Sequence, residues 1–137
     1  MITMKRVKRF LVLSLALAMV LSVGSAAADY TAHADLPIGD YNFSCNNYIT
    51  ASQYDCGAST TANSTLVAVS VTITYYYHDY VTDTDYVNGR GNGNQGWAGI
   101  SAPTLSGAQF YNKIVSNHTA VYQLLRFDWP LTTEAPH

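Results

Sequence analysis

The stretch Thr65–Val81, TLVAVSVTITYYYHDYV, decides the fold. Every second residue from Val67 is bulky: Val67, Val69, Val71, Ile73, Tyr75 and Tyr77. The intervening set is Ala68, Ser70, Thr72, Thr74, Tyr76 and His78. A period of two over that length belongs to a half-buried β-strand. β-Branched and aromatic side chains also suit a pleated surface. Fully extended, the stretch would reach about 50 Å, beyond an ordinary strand. It is therefore expected to bend, to twist strongly, or to serve two sheets in turn. Thr82-Asp83-Thr84-Asp85 suits a hairpin connection, and Tyr86–Arg90 is expected to pair back on the tyrosines.

Working outward, Gly39–Cys45 suits a first strand, with Tyr41 and Phe43 on one face. Asn46-Asn47 signals a turn, Tyr48–Ala51 a second short strand, and Ala58–Ser64 a polar edge strand or loop. Asp29–Pro37 is expected to fray. Downstream, Gly89–Gly96 (GRGNGNQG) has too many glycines to pack and suits a mobile loop. Trp97–Ala102 resumes as a strand and Pro103–Gly107 turns. Phe110–Leu125 is a second long extended stretch. Ser116 and His118 fall on the parity of Ile114, Ala120 and Tyr122, so a bulge near Ser116-Asn117 is expected. Strands, turns and no helical period make an all-β protein, an antiparallel β-sandwich of about 6–8 strands following an N-terminal signal-peptide helix.

That N-terminal segment has Lys5, Arg6, Lys8 and Arg9 ahead of the apolar run Phe10–Val23, and Ser25-Ala26-Ala27-Ala28 after it. This is the pattern of an export signal over residues 1–28, cleaved before Asp29, leaving one domain over 29–137. A membrane anchor is the alternative, but the run is short for a span. With no cysteine near the cleavage site and no apolar C-terminal tail, no anchor is expected after cleavage. The expected location is secreted and extracellular.

Without the signal cations, Arg90, Lys113 and Arg126 face nine acidic residues, three against nine, a formal charge of −6. A nucleic-acid partner needs a cationic footprint, and this is the opposite. Docking on anionic lipid is disfavoured for the same reason. Cys45 and Cys56 are the only two cysteines. In an oxidising compartment such a pair reads as a disulfide, worth roughly 3 kcal/mol for a loop of that size.

Catalytic signals are weak, and no enzyme and no cofactor is expected. His78 and Asp79 are neighbours on a strand and point to opposite faces. His118 is a lone imidazole, expected to be structural. No G-x-S-x-G elbow and no carboxylate pair for glycoside cleavage is present. Asp79, Asp83 and Asp85 suggest calcium, but Val87 takes the third ligand position of a helix-loop-helix calcium site, so a solvated acidic turn is expected and no metal. Asn42, Asn63 and Asn117 each begin an N-x-S/T triplet, which matters only in a glycosylating host. The ligand-binding expectation rests on Tyr80, Tyr86, Asn92, Asn94 and Trp97: aromatic anchors beside an adaptable glycine-rich segment at one end of the sandwich. The partner would be an extracellular ligand such as an envelope polymer or glycan.

Ser70–Tyr77 (SVTITYYY), a glycine-rich segment, and then Ser116–Tyr122 (SNHTAVY) resemble a loose group of small secreted proteins of Gram-positive bacteria. More distantly they resemble the lactococcin-type β-sandwich bacteriocins, in size, export signal and Tyr/Ser/Thr-rich strands. The resemblance carries over no functional residue. It sets a bacteriocin- or toxin-like role beside the first reading, a non-enzymatic extracellular binding module.

Overall fold

The computed structural model describes residues 28–137. The export-signal expectation for residues 1–28 lies outside the described residues, Ala28 excepted. Eight strands follow in order: β1 (Tyr30–Ile38), β2 (Tyr41–Ile49), β3 (Cys56–Ala62), β4 (Ala68–Asp79), β5 (Thr84–Gln95), β6 (Trp97–Ser101), β7 (Gln109–Tyr122) and β8 (Leu125–Glu134). They form two four-stranded antiparallel sheets, ordered β1-β2-β3-β6 and β5-β4-β7-β8. The protein is an all-β, antiparallel sandwich, as its strand alternation predicts.

The Val67 parity makes the core. Val67, Val69, Val71, Ile73 and Tyr75 are buried against Phe43, Ile49 and Cys45 of the facing sheet. Each such side chain contributes about 2 kcal/mol by leaving water. Thr72 on the other face is exposed. β4 stays within one sheet, and a register shift between Tyr76 and Tyr77 relieves its length. The chain that serves both sheets is the next one. β5 closes one sheet, Gly96 adopts φ +74°, and β6 joins the other. A side chain at Gly96 would strain that left-handed backbone.

Several local expectations are corrected. Residues 30–38 form β1, paired along β2 through Ala34↔Cys45 and Leu36↔Phe43, rather than fraying. Asn46-Asn47 lies within β2, because Asn47 is held inside the sandwich. Gly89–Gly96 is no loop, since Gly89–Gln95 lie in β5, paired residue by residue with Ala68–Thr74. Gly89, Gly91 and Gly93 stand opposite Thr74, Thr72 and Ser70, so the glycines fall on the outer face, where no core needs filling. The bulge expected at Ser116-Asn117 is absent from β7; the shift falls at Asn112, between Tyr111↔Tyr77 and Lys113↔Tyr76. Ser116 and His118 keep the parity of Ile114 and Ala120 and are fully buried.

The expected Cys45–Cys56 disulfide is also corrected. Both thiols are free and buried. Cys45 stands opposite Thr60 and Cys56 opposite Ile49. Four ladder positions separate them, roughly 14 Å along the strands, whereas a disulfide needs Cα atoms within about 7 Å. Burial, with a smaller contribution from Asp35 and Asp55 respectively, pushes each thiol up to about 12.

Candidate functional site

The residues expected to bind together do not come together. Tyr80 and Tyr86 sit at the β4–β5 hairpin end. Tyr86 stacks on Tyr77 at 4.8 Å between ring centroids, and Tyr80 packs edge-on against His78 and Phe110 at 4.5 and 5.9 Å. Trp97 begins β6 in the other sheet, after the full run of β5, roughly 36 Å of extended chain from Tyr86. Asn92 donates through Nδ2 to the Gly99 carbonyl at 2.9 Å, and Arg90 through Nη1 to the Ser101 carbonyl at 3.1 Å. These two side chains stitch the β5 edge to the β6 edge. Asn94 accepts from the Gln95 N–H at 2.8 Å. The asparagines are thus spent on backbone, while Trp97 heads one cleft, Tyr86 lines a second and Tyr80 a third.

The Trp97 cleft lies on the outer face of the β1-β2-β3-β6 sheet. It has a volume of about 290 Å³ and is lined by Tyr48, Asn46, Ser59, Trp97, Gly99 and Ser101, among others. The register explains the gathering. Along β2, Phe43, Cys45, Asn47 and Ile49 point inward, so Ser44, Asn46 and Tyr48 point out. Across the sheet, Asn46 pairs Ser59, which pairs Gly99; Tyr48 pairs Gly57, which pairs Ser101. Glycines let both aromatic rings lie down. A Cβ on Gly99 would meet the Trp97 ring at 2.6 Å, and one on Gly57 would meet Tyr48 at 3.0 Å. Trp97 is nevertheless 53% exposed. The cleft thus has two aromatic walls over a floor of small and amide side chains.

A polar line on β1 and β2 orients the floor. His33 Nε2 lies 2.8 Å from Asp35, and Nδ1 bonds Asn46 Oδ1. Ser44 donates to the other Asp35 oxygen. The hydrogen bond to Asn46, and then that to Asp35, raise the His33 pKa. Asn46 Oδ1 is occupied by His33 Nδ1, and the Asn46 NH₂ is left for the cleft. The cleft offers aromatic faces for stacking and amide and hydroxyl groups for hydrogen bonding.

A larger cleft of about 350 Å³ lies beside Tyr76, Tyr86, Asn112 and Lys113. Lys113 Nζ there sits 3.8 Å from Glu134 and 5.4 Å from the Tyr76 ring centroid. Its lysine is shared between the Glu134 carboxylate and the Tyr76 ring. At the acidic turn, Asp79 Oδ1 accepts from the Val81 and Thr82 N–H groups and Oδ2 from Gln109. Asp85 and Asp83 flank His78 at 2.7 and 3.2 Å and raise its pKa, the hydrogen bond to Asp85 most. Asp79 is held by protein groups, whereas Asp83 and Asp85 each touch His78 and otherwise face solvent. Among the described residues no cluster of three or more His, Cys, Asp and Glu side chains suits a metal.

Among the described residues a Ser–His contact lies inside the sandwich. Ser116 Oγ lies 2.7 Å from His118 Nε2, and Thr60 Oγ1 lies 2.8 Å from Nδ1. Thr60 donates to the Ser70 carbonyl at 3.1 Å, so it accepts from His118 Nδ1–H. Asn47 Nδ2 donates to Ser116 at 2.9 Å, and Ser116 donates on to Nε2. Thr133 donates to Asn47 Oδ1 at 2.5 Å. The chain Thr133–Asn47–Ser116–His118–Thr60 runs in one direction with every buried polar atom partnered. Burial drives the His118 pKa down to about 4, against a smaller raising effect of the Ser59 backbone. This is a neutral, inaccessible imidazole that joins the sheets, not a base beside a reachable nucleophile.

Of the residues at this cleft the sequence pointed to Trp97 and not to Tyr48, Asn46, Ser59 or the neighbouring His33. The signal was present in β2 as the alternation Ser44, Asn46, Tyr48, masked by a polar residue, Asn47, on the inward set. No protein-family model matches the chain, and no curated protein matches it.

Proposed function

We propose that the protein is a secreted, non-enzymatic binding module that takes a neutral glycan on the outer face of the β1-β2-β3-β6 sheet. The observation that carries this is the half-exposed Trp97 indole lying along Gly99, facing Tyr48 across Asn46 and Ser59. Pyranose rings present C–H faces that stack on such aromatic rings and hydroxyls that accept from an amide NH₂. The export pattern over residues 1–28 supports an extracellular ligand. The acidic balance favours uncharged sugar over anionic polymer.

The test is a glycan and cell-wall polymer array, followed by calorimetry on any hit. Wild type, Trp97→Ala, Tyr48→Ser and Tyr80→Ala are compared, each verified as folded by circular dichroism. Loss of binding in the first two variants and retention in Tyr80→Ala is expected. Retention in folded Trp97→Ala and Tyr48→Ser, or failure of wild type to bind any glycan, refutes the reading.

A further inference from the structure

β8 alternates Leu125, Phe127, Trp129 and Leu131 with Arg126, Asp128, Pro130 and Thr132. The first set stands opposite Tyr122, Ala120, His118 and Ser116, so it points to the core side of its sheet. Yet Leu125, Phe127 and Trp129 remain 42–44% exposed. The cause is position. β8 is an edge strand, and the inner parity of β1, packed across from it, has the small Ala32 and Ala34 at its middle, between Tyr30 and the pair Leu36 and Ile38. The backbone edge is open too. The Ala135 N–H donates to the Asn112 carbonyl at 2.9 Å, which turns the odd-numbered groups of β8 toward β7. The N–H and C=O of Arg126 and Asp128 therefore face outward. Pro130, which has no N–H, falls in the same outward set, as a proline on an edge strand does.

We propose that two copies of this chain pair antiparallel through their β8 edges, about a two-fold axis through Phe127. The sequence LRFDW is complementary to itself in that register. Arg126 meets Asp128 of the second copy on one face, twice. Leu125 meets Trp129, and Phe127 meets Phe127, on the other. The outward groups of Arg126 and Asp128 then exchange four backbone hydrogen bonds with the second copy, and Pro130 ends the ladder. Moving the axis one residue either way sets Asp128 against Asp128 or Arg126 against Arg126, and like charges directly opposite are unfavourable. Within one copy, Arg126 Nε lies 3.2 Å from its own Asp128, at the surface. Pairing places the same charges across strands and covers the apolar row. The interface is isologous and closed, so it yields a dimer rather than a fibre.

Sedimentation of purified protein over a range of concentrations tests this, with Arg126→Asp, Asp128→Arg and the double exchange R126D/D128R. Wild type is expected to dimerise. Each single reversal sets like charges opposite and weakens the dimer roughly tenfold or more. The double exchange restores it. A wild type that stays monomeric throughout, or single variants that dimerise as wild type does, overturns the proposal. A register test does not depend on those variants folding. Phe127→Cys faces its own copy at roughly 4.5 Å between Cα atoms and should cross-link on oxidation. Trp129→Cys faces Leu125 and should not. The buried native thiols do not compete. Equal cross-linking of the two variants also overturns the register.

Discussion

The buried His118 makes acid sensitivity a quantitative prediction. Its folded pKa of about 4 lies below the ordinary 6.5. A histidine with a depressed folded pKa stabilises the fold fully above its unfolded pKa. That contribution falls as pH drops through 6.5 and is gone below about 4. Holding the buried imidazole neutral between those two values amounts to about 3 kcal/mol. The structural cost is plain. A second ring proton at Nε2 displaces the proton that Ser116 donates there and leaves a charge between two sheets. His33 and His78 act in the opposite sense. Their raised pKa values stabilise below their unfolded values, and that stability is lost as pH rises. The lowered carboxylates Asp35, Asp79 and Asp128 lose their contribution only as pH falls below the ordinary carboxylate range. The assay is therefore a difference. Urea unfolding of wild type and His118→Gln is followed by far-UV circular dichroism at pH 7, 6, 5 and 4.5, so that groups common to both cancel. The stability advantage of wild type over the variant should shrink steadily, by about 2.5 kcal/mol on reaching the lowest pH. A constant gap across that range would refute the neutral, Nδ1–H assignment of the buried imidazole.

Three further outcomes follow from the packing. Val71→Asp should unfold the domain, because Val71 is fully buried and the carboxylate gains no partner, whereas exposed Thr72→Asp should cost under about 1 kcal/mol; thermal melts compare them. Gly57→Ala should cost about 1–3 kcal/mol, since its Cβ would meet the Ile100 carbonyl at 2.8 Å, while Gly99→Ala should spare stability but displace the Trp97 ring. Urea unfolding and near-UV circular dichroism separate these effects, and unchanged aromatic dichroism in Gly99→Ala would contradict the ring's placement. Cys45 and Cys56 should both resist alkylation in the native protein and both react in denaturant without reductant, as intact mass would record; an unreactive pair in denaturant would mean a bond between them.

The alternation of Val67 to Tyr77 was enough to define β4, its buried face and the hairpin that returns Tyr86 onto Tyr77. Local pattern carries that much because one face of a strand must be apolar when it covers a core. The same rule misled where the core is polar. Asn47, Ser116 and His118 looked like a turn and a bulge, since burying any of them alone is costly. They are buried because Thr133, Thr60 and one another, up to 86 residues away in sequence, complete their hydrogen bonds. The β7–β8 hairpin was hidden for a related reason. Its turn places Gln123 at φ 52° without the glycine or asparagine that marks such turns, and pairing of the two long strands holds it there. The glycine run became strand because β4 offers it a complete ladder, a fact about its neighbour and not about its own residues. The candidate cleft belongs to the same class. Tyr48 and Trp97 are 49 positions apart, and the register of β2, β3 and β6 brings them to one face. Composition and period settle which side of a strand meets water; which strands stand side by side, and so which aromatic rings share a cleft, is settled only when hydrogen-bond partners from distant parts of the chain are matched.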